Sequence, residues 1–232
     1  MVSEKNKSII LIQGDCRQEI KKIPDSSIDL ILTDPPYGIG YSEWDDSSIF
    51  FGLQDELYRV LKPNKFFVFW WSIKKIPEIS KIGKFGYVWQ IIAQFPSSFS
   101  KSRLGSRRYT PIFVFEKGTA KVSFRRTDFV TCAELPVVEK LMGSGEFKPT
   151  IALSQLLLRF TKKGDVVLDP FMGSGGLGLV CRLFSRRYIG IENKENSFKV
   201  AEKIIGEMEI RQSLPEMFES LGGIDRKQLN LF

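Results

Sequence analysis

Histidine is absent from all 232 residues. With it go every Ser-His-Asp or Cys-His mechanism and any imidazole general base. Cysteine is scarce: Cys16, Cys132 and Cys181 are far apart and form no C-x-x-C pair. A zinc site would have to be assembled from scattered thiolates and carboxylates, so no metal centre is expected. Unpaired thiols fit a reducing cytosol. Long hydrophobic runs are lacking too. The most apolar stretch, residues 66–71, is far shorter than the roughly 20 residues that cross a bilayer. Residues 1–7 are polar and carry no signal-peptide apolar segment. The expectation is a soluble cytoplasmic protein, with no internal repeat and no low-complexity tract.

What is present is ordinary globular composition, 43% hydrophobic and 26% charged. Residues 1–232 are read as one domain with a small insert at 118–146 and a polar C-terminal tail at 211–232. A net charge of +7 suits a polyanionic partner. Short β-rich runs alternate with helical patterns. Residues 8–12 and 28–33 read as strands. Phe50, Leu53, Leu57, Val60 and Leu61 share one helical face, which Lys62-Pro63-Asn64 ends. Strands follow at 65–71, 87–93 and 111–116. After Lys148-Pro149 the pattern is helix 151–160, strand 166–168, helix 176–184, strand 188–191 and helix 197–208. This alternation predicts an α/β fold, a mostly parallel sheet covered on both faces.

Two motifs carry chemistry. Asp34-Pro35-Pro36-Tyr37 directly follows a buried strand, where open α/β sheets form their ligand crevice. The prolines remove two N–H donors and stiffen the turn. A carboxylate, a fixed carbonyl and an aromatic ring together suit a planar group bearing NH2: the oxygens accept its hydrogens and the ring stacks on its face. A plain Pro-Pro turn, with its aspartate capping the next helix, would have the same local sequence. The second motif, Asp169-Pro170-Phe171-Met172-Gly173-Ser174-Gly175-Gly176, joins a buried strand to a helix and allows close backbone approach to a ligand. Glu192 ends the next strand about twenty residues on, the spacing of an acid that accepts from ribose hydroxyls. A solvated strand-end acid is the alternative. No Gly-Lys-Ser/Thr follows the glycines, so this is not a triphosphate loop.

D-P-P-Y together with D-P-F-x-G-S-G resembles the S-adenosylmethionine-dependent amino DNA methyltransferases. With the D-P-P-Y block first and the Gly-rich block far downstream, the order resembles the circularly permuted beta class. The resemblance spans about residues 9–208. It implies a Rossmann-like class I fold and S-adenosyl-L-methionine as cofactor. Asp169, Pro170, Phe171, Gly173, Ser174 and Gly175 would form the methionine-side pocket, and Glu192 with Asn193 would hold the ribose. Asp15 would meet the cofactor's adenine amine, with Cys16 packed beside it. Lys148-Pro149 matches the family's K-P element, and Thr150 would help to hold the carboxylate end. The histidine that many relatives carry just ahead of K-P is absent. Asp34, Pro35, Pro36 and Tyr37 would grip a flipped base, with Asp34 also facing the cofactor. Adenine N6 is the implied target, cytosine N4 the alternative. An RNA methyltransferase or an inactive DNA-binding subunit are the readings from other classes. A restriction-modification setting is typical of the family.

Double-stranded DNA is the expected partner, which would associate the protein with the nucleoid. Lys101, Arg103, Arg107 and Arg108 lie in a Ser/Gly-rich loop, with Lys121, Arg125 and Arg126 soon after. Loop plus charge suits phosphate contact, though it also describes a solvated loop. The segment for target recognition is short, so a homodimer would enlarge the footprint. Gln228, Leu229, Leu231 and Phe232 resemble the peptide by which bacterial proteins dock on the replication sliding clamp; folding back onto the domain is the alternative.

Overall fold

The alternating runs form alternating elements. The computed structural model describes residues 8–40, 45–95, 100–102, 105–122, 127–132 and 149–207. The first half holds β1 (Ile9–Gln13), α1 (Cys16–Glu19), β2 (Ile28–Thr33), α2 (Ser47–Gly52), α3 (Gln54–Val60) and β3 (Leu61–Trp70). A 3-10 segment, Ile73–Lys81, leads to β4 (Gly86–Gln94), the hairpin β5 (Ser100–Ser102) and β6 (Gly105–Arg107), then β7 (Tyr109–Lys117) and β8 (Phe129–Thr131). The last part is α4 (Thr150–Phe160), β9 (Val166–Asp169), α5 (Gly176–Leu183), β10 (Arg187–Glu192) and α6 (Glu195–Glu207).

Among the described residues the main sheet has eight strands in the order β1-β10-β9-β2-β3-β7-β4-β8, and β5 pairs with β6 separately. β7 runs antiparallel to both its neighbours, and the other pairings are parallel. All six residues of β2 are buried, as a parallel strand covered on both faces requires. Side chains alternate between two cores. Leu30, Leu32, Val68 and Trp70 pack with α4, α5 and α6. Ile31, Phe67, Phe69 and Trp71 pack with α1, α2 and α3. Burying each of these large side chains stabilises the fold by about 1.5–3 kcal/mol.

Ion pairs fasten the end of the sheet opposite the ligand crevice. The buried Asp29 carboxylate meets Lys62 Nζ at 2.8 Å, Lys65 Nζ at 3.0 Å and the Val166 N–H at 3.1 Å. Burial alone would raise its pKa, but these partners hold it below the usual value.

The expected helix through Leu61 is shorter than its sequence pattern. Two helices, α2 and α3, meet at Leu53, and Leu61 already opens β3. The apolar spacing persists because Leu57, Val60 and Leu61 are all buried, the last of them as a strand residue. Pro63 and Asn64 sit within β3, beside a register shift against β2. The 3-10 segment spaces Ile73, Ile76 and Ile79 three residues apart, and Ile76 and Ile79 pack against the core beside α1, α2 and α3; the β5–β6 hairpin has a polar sequence without strand or helix periodicity. β8 lies inside the insert expected at 118–146. No described helix is long and apolar enough to cross a membrane.

Candidate active site

From β9 the chain proceeds to β10, on the far side from β2; from β2 it proceeds to β3, in the other direction. The carboxyl ends of β2 and β9 therefore flank a switch point, where open α/β sheets bind ligands. A cavity of about 760 Å³ lies there. Its walls include Asp34-Pro35-Pro36-Tyr37 beyond β2, the loop from Asp169 to Ser174 beyond β9, Glu192 and Asn193 at the end of β10, and Asp15 and Cys16 beyond β1.

The two motifs touch through the strands that carry them. Thr33 Oγ1, one residue before the D-P-P-Y turn, donates to Asp169 Oδ1 at 2.6 Å. The Phe171 N–H donates to the same oxygen at 3.1 Å, and the Tyr188 hydroxyl reaches Oδ2 at 3.4 Å. Burial raises the Asp169 carboxyl to about 7, against the pull of the Thr33 and Phe171 hydrogen bonds.

On the D-P-P-Y side, the Tyr37 hydroxyl donates to Asp34 Oδ1. Burial, and then the neighbouring Asp34 charge, push the phenol well above its usual pKa. The Tyr37 ring stands edge-on to Trp71, centroids 5.6 Å apart at 77°. Trp71 in turn contacts Phe50 at 5.4 Å, and Phe50 faces Phe171 of the Gly-rich loop at 6.4 Å. A continuous aromatic seam thus joins both halves of the site.

On the Gly-rich side, Glu192 Oε2 accepts the Gly173 N–H at 2.9 Å and Oε1 the Lys194 N–H at 2.8 Å. Asp15 caps α1 through the Arg17 N–H at 2.8 Å and takes the Arg17 guanidinium on both oxygens. That contact holds its carboxyl below the usual range. Burial pushes the Cys16 thiol up to about 11. Gly175 is absent from the cavity wall. At φ +86°, with Ala201 Cβ 2.7 Å from where its own Cβ would be, it lets α6 pack against the loop. Pro149 and Thr150 begin α4 and are not wall residues, whereas Leu153 of the same helix is.

Among the described residues of the two basic clusters, Arg107 on β6 counters by its charge part of the rise at Tyr37. Arg108 and Lys121 are exposed, and Lys101 pairs with Ser106 in the hairpin. The hairpin leads into β7, where the Pro111 carbonyl accepts the Trp71 N–H at 3.0 Å, so it stands at the same sheet edge as the cavity. Arg103, Arg125, Arg126 and Lys148 lie outside the described residues, as do Gln228, Leu229, Leu231 and Phe232. Among the described residues no cluster of potential metal ligands occurs.

Sequence reasoning overlooked Thr33, Trp71, Arg17 and Asp45. Strand periodicity does mark Thr33 and Trp71 as inward-facing. Nothing local distinguishes Asp45.

The family described as DNA methylase matches residues 146–203. The type II methyltransferase M.HpaI of Haemophilus parainfluenzae is 31% identical over 243 residues, covering 89% of this chain and 77% of that protein. The chain belongs to the N6/N4 family of DNA methylases. Another member of this family, the DNA adenine methyltransferase YhdJ of Escherichia coli K12, is 28% identical over 84% of this chain and 82% of its own. Solved structures share the fold. The cytosine-N4-specific PvuII DNA methyltransferase aligns with a TM-score of 0.71 at 18% identity, over 94% of each chain. The M1.HpyAVI–SAM complex aligns at 0.69 and 22% identity, over 85% of this chain and 98% of that one. The α/β sheet expected from the alternation of elements is thus the class I methyltransferase sheet, with the D-P-P-Y half ahead of the Gly-rich half in the chain.

Proposed function

We propose that this DNA methyltransferase moves the methyl group of S-adenosylmethionine to the N6 amine of an adenine turned out of the duplex. One observation carries the reading: the Thr33–Asp169 hydrogen bond ties the D-P-P-Y turn and the Gly-rich loop to one cavity. The acceptors for an amine and the walls for an adenosine-bearing cofactor are therefore neighbours. Adenine is favoured because the turn begins with Asp, and YhdJ, an adenine methyltransferase by name, is a relative.

The residues fit the cofactor. Glu192 closes β10 at the cavity wall, and each of its oxygens has a lone pair beyond those used for Gly173 and Lys194. The cavity volume falls within the roughly 300–1,000 Å³ usual for small-molecule sites. When bound, the sulfonium supplies an electrophilic methyl group. The protein's contribution is position and electrostatics. Asp34 and the Pro35 carbonyl accept the two amine hydrogens and favour a pyramidal nitrogen, whose lone pair then faces the methyl carbon. The amine proton released on methylation would pass to Asp34 and from there to water. A carboxylate has about four acceptor positions, so Asp34 can keep the Tyr37 hydroxyl while it meets the amine. Extruding the base costs a few kcal/mol, which stacking on Tyr37 offsets. Arg107 and its neighbours on the hairpin would contact the backbone phosphates. Residues 118–146 would read the target, in a protomer or a homodimer, and the C-terminal pentapeptide would dock on a sliding clamp.

The test is transfer of label from S-adenosylmethionine to mixed genomic DNA, with Asp34→Ala in parallel, followed by digestion to nucleosides. N6-methyladenine that disappears in the variant is the expected result. N4-methylcytosine would keep the mechanism and change the base. A protein that binds the cofactor yet labels no DNA would overturn the reading in favour of an RNA substrate or an inactive subunit.

A further inference from the structure

We infer that Asp45 is a positioning residue for methyl transfer, a carboxylate that holds the backbone after the D-P-P-Y turn in its working shape. The inference rests on the function proposed above. Three successive amides converge on this one side chain. Oδ1 accepts the Tyr37 N–H at 2.7 Å and the Gly38 N–H at 2.8 Å, and Oδ2 accepts the Ile39 N–H at 2.7 Å. Amides bonded to a carboxylate form hydrogen bonds roughly twice as strong as neutral ones. The segment they fix carries no helix or strand bonds of its own.

The consequence for Tyr37 is geometric. Trans peptide units are planar, so anchoring the Tyr37 and Gly38 N–H groups together holds the planes on both sides of Tyr37 and with them the direction of its Cα–Cβ bond. That side chain bears the ring that meets Trp71 and the hydroxyl that meets Asp34. Gly38 follows at φ +66°, where a Cβ would lie 2.7 Å from Ser47 Oγ, so the turn rests directly on the start of α2. The next residue along from Asp45 grips that helix: Asp46 caps α2 through the Ser48 N–H and hydroxyl, each at 2.8 Å. Two adjacent aspartates thus clamp the turn on one side and the helix on the other. Phe50 of that helix faces both Trp71 and Phe171.

The split of the three bonds between the two oxygens gives a graded test. Asp45→Asn keeps an oxygen for Tyr37 and Gly38 and gives up the one for Ile39; Asp45→Ala gives up all three. In the full-length protein, Asp45→Ala is expected to lower kcat about 100-fold, the scale of an ångström-size misplacement of a reacting group. Asp45→Asn is expected to recover about tenfold of that loss, with the Kd for S-adenosylmethionine within about threefold of wild type in both variants. Hydrogen exchange at the Tyr37, Gly38 and Ile39 amides gives a readout that needs no turnover. It should be slow in wild type and fast in Asp45→Ala, while Asp45→Asn releases Ile39 alone. An Asp45→Ala protein with near-normal kcat overturns the inference. So does an Asp45→Asn protein as impaired as Asp45→Ala, with cofactor affinity and Tm falling in step, because that pattern marks general destabilisation. If wild type labels no nucleic acid, the function proposed above fails and the positioning role fails with it; active wild type with an indifferent Asp45→Ala fails the positioning role alone.

Discussion

Replacing Asp169 by asparagine separates what this residue does for the cavity from what its charge does to the fold. The carboxyl is buried at the end of β9, and its burial raises it from the usual 3.8 to about 7. Because the folded-state value lies above the unfolded one, the stabilisation tied to this group is complete below about pH 4 and is lost as pH rises through about 7. At about 1.36 kcal/mol per unit, the interval from 3.8 to about 7 amounts to about 4 kcal/mol. Asparagine matches the neutral acid in shape. Its carbonyl oxygen can still accept from Thr33 Oγ1 and the Phe171 N–H, and its NH2 can donate to the Tyr188 hydroxyl that now meets Oδ2. Asp169→Asn should therefore be more stable than wild type, by about 1–2 kcal/mol near pH 5 and about 4 kcal/mol at pH 8. Urea denaturation at a series of pH values, with m held common, measures the difference. A difference that stays flat from pH 5 to pH 8, or an Asp169→Asn protein less stable at pH 8, would refute the reasoning.

Other substitutions report on the site's two halves. Tyr37→Ala removes a stacking surface worth about 1–3 kcal/mol per base, so kcat should fall about 10- to 100-fold, whereas Tyr37→Phe keeps the ring against Trp71 and should lose less. Steady-state labelling of DNA distinguishes them, and equal losses would mean that the hydroxyl on Asp34, not the ring, is what matters. Thiol chemistry tests the burial at the entrance to α1. With the Cys16 thiol at about 11, and Cys132 and Cys181 also buried, iodoacetamide at pH 8 should modify the folded protein slowly and the urea-unfolded protein fast. Rapid alkylation of Cys16 in the native state would contradict that burial.

The strands of the sheet were largely legible because a parallel strand covered on both faces leaves a nearly continuous apolar run, as at residues 30–32 and 166–168. Strand-end positions follow from the same logic, which is why the sequence alone directs Asp34, Asp169 and Glu192 to the crevice at the strands' carboxyl ends. What periodicity does not carry is pairing across the switch point. Thr33 reads as one more β-branched strand residue, and only the adjacency of β2 and β9 makes it the partner of Asp169. Asp45 is one acid of a pair in a polar stretch, and its role depends on bonds to amides six to eight residues earlier in the chain. The junction at Leu61 misled for a different reason. A buried leucine satisfies a helical stripe and a strand face equally well, and only the extended backbone at Leu61, where α3 ends, and its pairing with Ile28 of β2 decide between them.

The strand order also governs how this chain can fold as it is synthesised. β1 is made first, yet its pairing partner β10 is among the last elements to appear, and β9 and β10 both enter between β1 and β2. Until residues 187–192 emerge, the first strand has no neighbour in the main sheet, and the flank of β2 that will receive β9 stays open. Closure of the sheet is thus a late event over a long sequence separation, a topology that folds slowly. A chain stopped before β9 would present a hydrophobic strand edge of the kind that seeds association with other copies. The same event that completes the sheet completes the crevice, so the nascent protein acquires its stability and its cofactor wall in a single step.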